Sequence, residues 1–252
     1  MTDPSRCTAL VVENSARAPI GALADWLPAS GIDLVTVRPH TGEALPADPT
    51  AYDAVIVLGG PSSAYDDGPI DGRASWQPAG RDLLNQAVAA AVPTFAICLG
   101  AQLLAVAQGG RVHKGPDGPE RGALLIAKRD RAVYDPVMAA LPLTPDVIQW
   151  HDDVISELPV HAQLLAAGTR YENQAFRIGE TAWGVQFHPE ATPSIVRDWA
   201  ARERAEGGDG ELLGAAVAGV TTRYADLEET WHTVFERFAV VVRRRRESMP
   251  EA

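Results

Sequence analysis

Two short segments carry residue types that could assemble an activated nucleophile. Phe95-Ala96-Ile97-Cys98-Leu99-Gly100-Ala101-Gln102 brings a cysteine out of an apolar run onto a turn of small residues. Trp183-Gly184-Val185-Gln186-Phe187-His188-Pro189-Glu190 brings out a histidine with a carboxylate two residues later. A thiol, a base and an acid that orients the base are the parts of covalent catalysis. Amide N–H groups at the start of a helix stabilise a thiolate, and a neighbouring imidazole does so further. Gly100 supplies the room that a strand-to-helix elbow needs, while Ala96 stands where glycine is more usual in such turns. An isolated cysteine packs well in a core, and Cys7, with no such surroundings, is read that way. Pro189 breaks the strand and lets Glu190 fold back toward His188. His40, His113, His151, His161 and His232 are read as satisfied or exposed side chains.

Such a pair of segments must be held by a fold. Thr8 to Glu13, Ile32 to Val37, Tyr52 to Leu58 and Val92 to Cys98 read as strands, with helical patterns at Pro19–Pro28 and Ala79–Ala91 between them. Strands alternating with helices predict an α/β fold with a doubly wound, mostly parallel sheet. In such sheets chemistry gathers at the carboxyl ends of strands, where Gly59-Gly60 and Cys98 both fall. Pro61 to Pro78, rich in Asp, Gly, Ser and Pro, is expected to be an irregular loop. Short runs at Ala123–Ala127, Val147–Trp150, Gln163–Ala167, Gln174–Ile178 and Thr181–Phe187 predict an antiparallel extension of the sheet. Helical text follows at Ser194–Glu206, then at Glu211–Ala218 and Thr222–Arg245. The expected organisation is a catalytic domain over 1–206 and a C-terminal helical appendage over 207–252. Its apolar positions Leu227, Trp231, Val234, Phe235 and Phe238 would cover the sheet or mediate a dimer, the first being the commoner outcome.

Composition narrows the field. The chain has 252 residues, 46% of them apolar, which suits a globular protein with a full core. A formal charge of −11 argues against a broad nucleic-acid surface. The one basic run, Arg243 to Arg246, reads as cations at a helix C-terminus. No run is apolar enough to span a bilayer and no signal peptide is evident, so the expectation is a cytoplasmic protein without a membrane contact. Two cysteines make no disulfide framework, and a reducing compartment suits a catalytic thiol.

From about Val11 to about Trp199 the chain resembles the class I, triad-type glutamine amidotransferases, especially members similar to the amidotransferase domain of GMP synthetase. The residues that carry the resemblance are Gly59-Gly60-Pro61-Ser62, Cys98-Leu99-Gly100-Ala101-Gln102 and Gly184-Val185-Gln186-Phe187-His188-Pro189-Glu190. It implies a flavodoxin-like sheet and a triad in which Cys98 attacks the γ-carboxamide of glutamine, His188 shuttles the proton and Glu190 orients His188. It further implies an oxyanion hole from the backbone N–H groups of Gly60 and Leu99, with Gly59 beside the substrate. Gln102 matches a position at the amino-acid end of the substrate. Asn173-Gln174-Ala175-Phe176 resembles a segment whose backbone binds the α-amino and α-carboxylate groups. Ala101 and Ala96 depart from the family pattern, both to small residues. His151-Asp152-Asp153 resembles a His-x-Asp segment that faces the synthetase domain. Its adjacent carboxylates point different ways, so a metal site there is not expected.

No cofactor is expected, and no Gly-x-x-x-x-Gly-Lys-Ser/Thr loop or Ser-Gly-Gly-x-Asp-Ser loop for ATP chemistry is present. The substrate is then a small molecule, glutamine or another γ-glutamyl compound. The first reading is a glutaminase-type amidotransferase that hands ammonia to a separate synthetase subunit. The second is a hydrolase of γ-glutamyl peptides or amines, selected in part by Tyr65, Asp66, Asp67, Arg73 and Trp76. A catalytically silent regulatory module on the same fold is the third.

Overall fold

Val55, Ile56, Phe95 and Ile97 are all fully buried, so both faces of their strands are covered. Continuous apolar runs of this kind belong in the middle of a parallel sheet. The computed structural model describes residues 6–70 and 72–248. Its main sheet begins with β1 (Cys7–Val12), β2 (Ile32–Val37), β3 (Ala54–Val57) and β4 (Thr94–Ile97). Two antiparallel ribbons follow: β5 (Arg111–Lys114) pairs with β9 (Asp153–Glu157), and β6 (Glu120–Leu125) with β8 (Asp146–His151). The main sheet is completed by β7 (Ala127–Lys128), β10 (Ala162–Ala167), β11 (Ala175–Ile178) and β12 (Ala182–Val185). Its eight strands run in the order β2-β1-β3-β4-β12-β11-β10-β7. The pairings from β2 to β12 are parallel, and those from β12 to β7 are antiparallel. The doubly wound, mostly parallel sheet with an antiparallel extension is therefore present. Ala123–Leu125 and Val147–Trp150, expected in that extension, lie instead in the separate β6/β8 ribbon.

Alternation along the strands divides the core in two. Ala9, Val11, Ala54 and Ile56 face one layer, while Leu10, Val12, Val55 and Val57 face the other. The first layer is covered by α1 (Leu23–Ala29), α4 (Pro193–Ala205) and α5 (Gly210–Ser248), the second by α2 (Gln77–Ala89) and α3 (Leu99–Ala107).

The C-terminal segment is one helix of 39 residues, where the sequence predicted two. Gly214 and Gly219 each disfavour a helix by about 1 kcal/mol relative to alanine. Against that, Leu213, Ala216, Val220, Leu227, Trp231, Val234 and Phe238 repeat at helical spacing and are all buried. Large side chains stabilise by roughly 1.5–3 kcal/mol each on full burial, so the buried face wins. Phe95 lies 4.6 Å from Phe235 and Phe187 lies 4.8 Å from Trp231, ring centre to ring centre. The helix thus shares its core with the sheet. Its basic end is more than a partner for the dipole. Arg243 donates to the Ser30 carbonyl, and Arg246 reaches both the Arg6 carbonyl and Asp53.

Candidate active site

Sheet register brings the two sequence-distant segments together. Ile97 at the end of β4 pairs with Val185 at the end of β12, so the next residues leave the sheet side by side. The Cys98 N–H donates to the Val185 carbonyl at 2.8 Å. On the other side Val57 of β3 pairs with Ala96, which delivers Leu58-Gly59-Gly60 to the same rim. Ala96 is fully buried in the second core layer, paired on its two sides with Val57 and Gly184.

Cys98 has φ 49° and ψ −110°, in the positive-φ region that non-glycine residues rarely occupy. That strain is held by its surroundings and points the side chain out of the sheet at the head of α3. Gly100 makes the elbow possible, since a Cβ there would stand 2.2 Å from the Val57 carbonyl oxygen. The Leu99 N–H, in the first turn of α3, has no intrahelical acceptor. Among the described residues no acceptor takes it or the Gly60 N–H. Asn14 holds the Gly60 segment, its amide donating to the Leu58 carbonyl at 2.7 Å and accepting from the Trp76 indole.

His188 is fixed from three directions. Its backbone N–H donates to the Ile148 carbonyl of β8 at 2.8 Å. Its ring lies 4.7 Å from Trp199, centre to centre. Its Nδ1 lies 2.7 Å from Glu190 Oε1. Burial alone would lower the imidazole, but the charges of Glu190 and Cys98 and their hydrogen bonds outweigh it, and His188 is raised to about 10. Glu190 Oε2 is buried with no partner, which leaves the imidazolium as the group that compensates the carboxylate. Gly59 forms the remaining wall, where a Cβ would come within 2.9 Å of the His188 ring and 3.5 Å of Cys98 Cβ. The expected Cys98, His188 and Glu190 meet at one end of the sheet, with Gly59, Gly60 and Leu99 around them.

A cleft of about 620 Å³ opens over this cluster. Cys98, Gln102, His188 and Gly60 form its floor, and Tyr65, Trp150, Trp199 and Arg121 rise around it. Of the loop residues considered as selectors, Tyr65 reaches the cleft. Arg73 donates to the His40 carbonyl, Asp67 pairs with Arg81, and Trp76 is bonded to Asn14. Arg121 sits 5.4 Å over the Trp150 ring and is clamped by Asp152 and Glu203.

Asn173 to Phe176 have other employment. Asn173 donates to the Ile155 and Ser156 carbonyls, and Gln174 joins a buried network with Gln149 and Glu120. The Gln174 N–H is taken by the Ala166 carbonyl, its carbonyl by the Gln186 N–H, and Ala175 and Phe176 lie in the ladder of β11. The backbone groups of Gln174, Ala175 and Phe176 are thus engaged in the sheet, and none of the four residues lines the cleft over Cys98. His151 is likewise buried, with Nε2 3.1 Å from Glu120 and Nδ1 3.0 Å from the Asp153 carbonyl. No cluster of three or more His, Cys, Asp or Glu able to hold a metal exists among the described residues.

Sequence reading gave no catalytic use to Asp153 or Gln186. Asp153 is a half-buried carboxylate in the cleft wall that accepts from Tyr65 at 3.2 Å, and no ion pair of it occurs among the described residues. Gln186, two residues before His188, donates toward Cys98 Sγ at 3.9 Å. Two-residue spacing in an extended segment was the available signal, since i and i+2 share a face.

The model of the glutamine amidotransferase class-I family matches residues 22–198. The chain belongs to that family. It is 32% identical over 180 residues to the glutamine amidotransferase-like protein YfeJ of Salmonella typhimurium, covering 70% of this chain and 72% of that protein. It is 30% identical over 204 residues to a gamma-glutamyl-L-1-hydroxyisopropylamide hydrolase of a Pseudomonas species, covering 69% of this chain and 63% of that one. Among solved structures it superposes with a TM-score of 0.80 on a glutamine amidotransferase of Thermotoga maritima, at 24% identity, covering 93% of this chain and 98% of that one. Among the described residues of the chain itself, no helix is long and apolar enough to cross a membrane.

Proposed function

We propose that the protein is a thiol amidohydrolase that cleaves the γ-carboxamide of glutamine. The observation that carries this reading is a strained cysteine elbow sharing one buried corner with a His188–Glu190 pair 2.7 Å apart. A histidine raised to about 10 is protonated at neutral pH and so holds the proton that the departing nitrogen needs. Cys98 Sγ then attacks the γ-carbonyl carbon, and the oxyanion is received by the Gly60 and Leu99 N–H groups. Each such donor contributes on the order of 10²–10³ in rate. As the tetrahedral adduct collapses, the C–N bond breaks, His188 gives its proton to the departing nitrogen, and ammonia leaves. The resulting γ-glutamyl thioester is attacked by water, whose proton passes to His188, and glutamate departs as Cys98 regains the sulfur electron pair. Glu190 holds the ring orientation throughout. Asp153, which has no ion pair among the described residues, suits the α-ammonium group of the substrate.

The cleft favours a second reading. At about 620 Å³ it has room for a leaving group larger than ammonia beside the γ-glutamyl part, with Trp150, Trp199 and Tyr65 to contact it. On this reading the protein hydrolyses a γ-glutamyl peptide or amine by the same steps, as the name of its Pseudomonas relative describes for that protein. The first reading leaves the open cleft to be covered by a separate synthetase subunit that takes the ammonia. The cytoplasm is the proposed compartment. Glutamate release is measured with purified protein on glutamine and on a panel of γ-glutamyl amides. Glutamine turnover comparable to the best amide supports the first reading; turnover confined to the amides replaces it with the second.

A further inference from the structure

We propose that Gln186 is a positioning residue for the nucleophile, donating an amide N–H to Cys98 Sγ. The inference rests on Cys98 being the nucleophile proposed above. Beyond the end of β12, Gln186 and His188 are two residues apart and turn to the same side, while Phe187 between them packs into the core against Trp231. One strand end thus presents two side chains to one sulfur.

The orientation of the Gln186 amide follows from its neighbours. Gln102 Nε2 lies 3.1 Å from the Asp153 backbone oxygen, which can only accept. That contact fixes the nitrogen of Gln102, which also faces Gln186 Oε1 at 3.2 Å. Gln186 must therefore turn its oxygen to Gln102 and its nitrogen to sulfur. A donor at 3.9 Å from Sγ favours the charged thiolate over the thiol. Gln186 is almost fully buried and does not line the cleft, so its amide is shielded from bulk water. The same two amides tie the sulfur to the Asp153 backbone, on the wall where the substrate's amino group is proposed to sit. The titratable group facing Cys98 from its own rim is His188, backed by Glu190, and Asp153 faces the cleft from β9. Gly59, Gly60 and Leu99 contribute uncharged groups.

The test is alkylation of Cys98 by iodoacetamide as a function of pH, in the native protein, Gln186→Met and Gln186→Glu, with Cys98→Ala as the background for Cys7. Circular dichroism and thermal unfolding establish that each variant is folded. For Gln186→Met the alkylation midpoint is expected to rise by about one pH unit, with the neutral-pH rate falling about tenfold. Turnover is expected to fall through kcat by about the same factor, with KM held within about twofold, because the group faces sulfur and not the amino-acid end of the substrate. Gln186→Glu, the same shape with a carboxylate in place of the donor, shifts the midpoint at least as far and carries the test if the methionine variant does not fold. A folded variant with the native alkylation profile overturns the inference. Loss of turnover in Cys98→Ala with a native profile in Gln186→Met would refute this inference alone, whereas full turnover in Cys98→Ala would refute the proposed reaction.

Discussion

His188 Nδ1 and Glu190 Oε1 stand 2.7 Å apart in a pocket where both side chains are almost completely removed from solvent. A turn of one proline between them achieves this contact, so the acid that orients the base comes from the same strand end as the base. Water cannot screen such a pair, and the carboxylate's charge acts on the imidazole at full strength.

The pair makes a prediction about pH. His188 is raised from 6.5 to about 10, so in the folded protein it keeps its proton where an unfolded histidine has lost it. Its contribution to stability is fully present below about 6.5 and is lost as pH rises through about 10. Replacing Glu190 by Gln removes the largest influence that raises the imidazole. The alkaline limb of kcat/KM is expected to move to lower pH, with turnover reduced while thioester formation persists. Urea unfolding at a series of pH values should show the stability gap between native and Glu190→Gln narrowing as pH rises from about 6.5 to about 10. An unchanged alkaline limb in a folded Glu190→Gln protein would contradict this.

Backbone strain at Cys98 predicts an unusual order of stabilities. Alanine at this position keeps the side-chain clash of φ 49°, ψ −110°, whereas glycine relieves it. Strain of this kind costs on the order of 1–3 kcal/mol, partly offset by the greater freedom of glycine in the unfolded chain. Cys98→Gly is expected to melt above Cys98→Ala, by about 1 kcal/mol in unfolding free energy. Equal or reversed melting temperatures would show that the elbow stores no strain.

Gly59 predicts a loss of activity without loss of fold. A methyl group there would meet the His188 ring at 2.9 Å and Cys98 Cβ at 3.5 Å, and the ring can move only by loosening its contacts with Glu190 and Trp199. Displacing a catalytic group by about an ångström costs on the order of 10² in rate. Gly59→Ala is therefore expected to lose about that factor in kcat and, although folded, to melt below the native protein. Native kcat in the folded variant would remove Gly59 from the catalytic corner.

Most of the fold could be read from the sequence because its central strands are apolar almost throughout. β1, β3 and β4 announce themselves as buried runs, and Cys98 and His188 sit just beyond such runs. The ribbons were harder. Arg111 to Lys114 buries Val112 alone, so β5 carries no period to detect. The continuity of α5 was hidden by Gly219 and two threonines, which read as a break until tertiary burial of Val220 and Leu227 is known. Asn173 to Phe176 show another limit: a likeness of letters does not tell where backbone groups go, and here the ladder takes those of Ala175 and Phe176. Gln186 lay in plain view inside a quoted motif. Its role became legible only when register put it beside sulfur.

The central claim is a covalent bond between Cys98 and the γ-glutamyl group, and intact-protein mass spectrometry after rapid acid quench reads it most directly. With glutamine or a slow γ-glutamyl amide, the Glu190→Gln protein is predicted to gain the mass of one γ-glutamyl group, mapped by proteolysis to the peptide containing Cys98. No adduct at Cys98, together with glutamate release that survives Cys98→Ala, would contradict it.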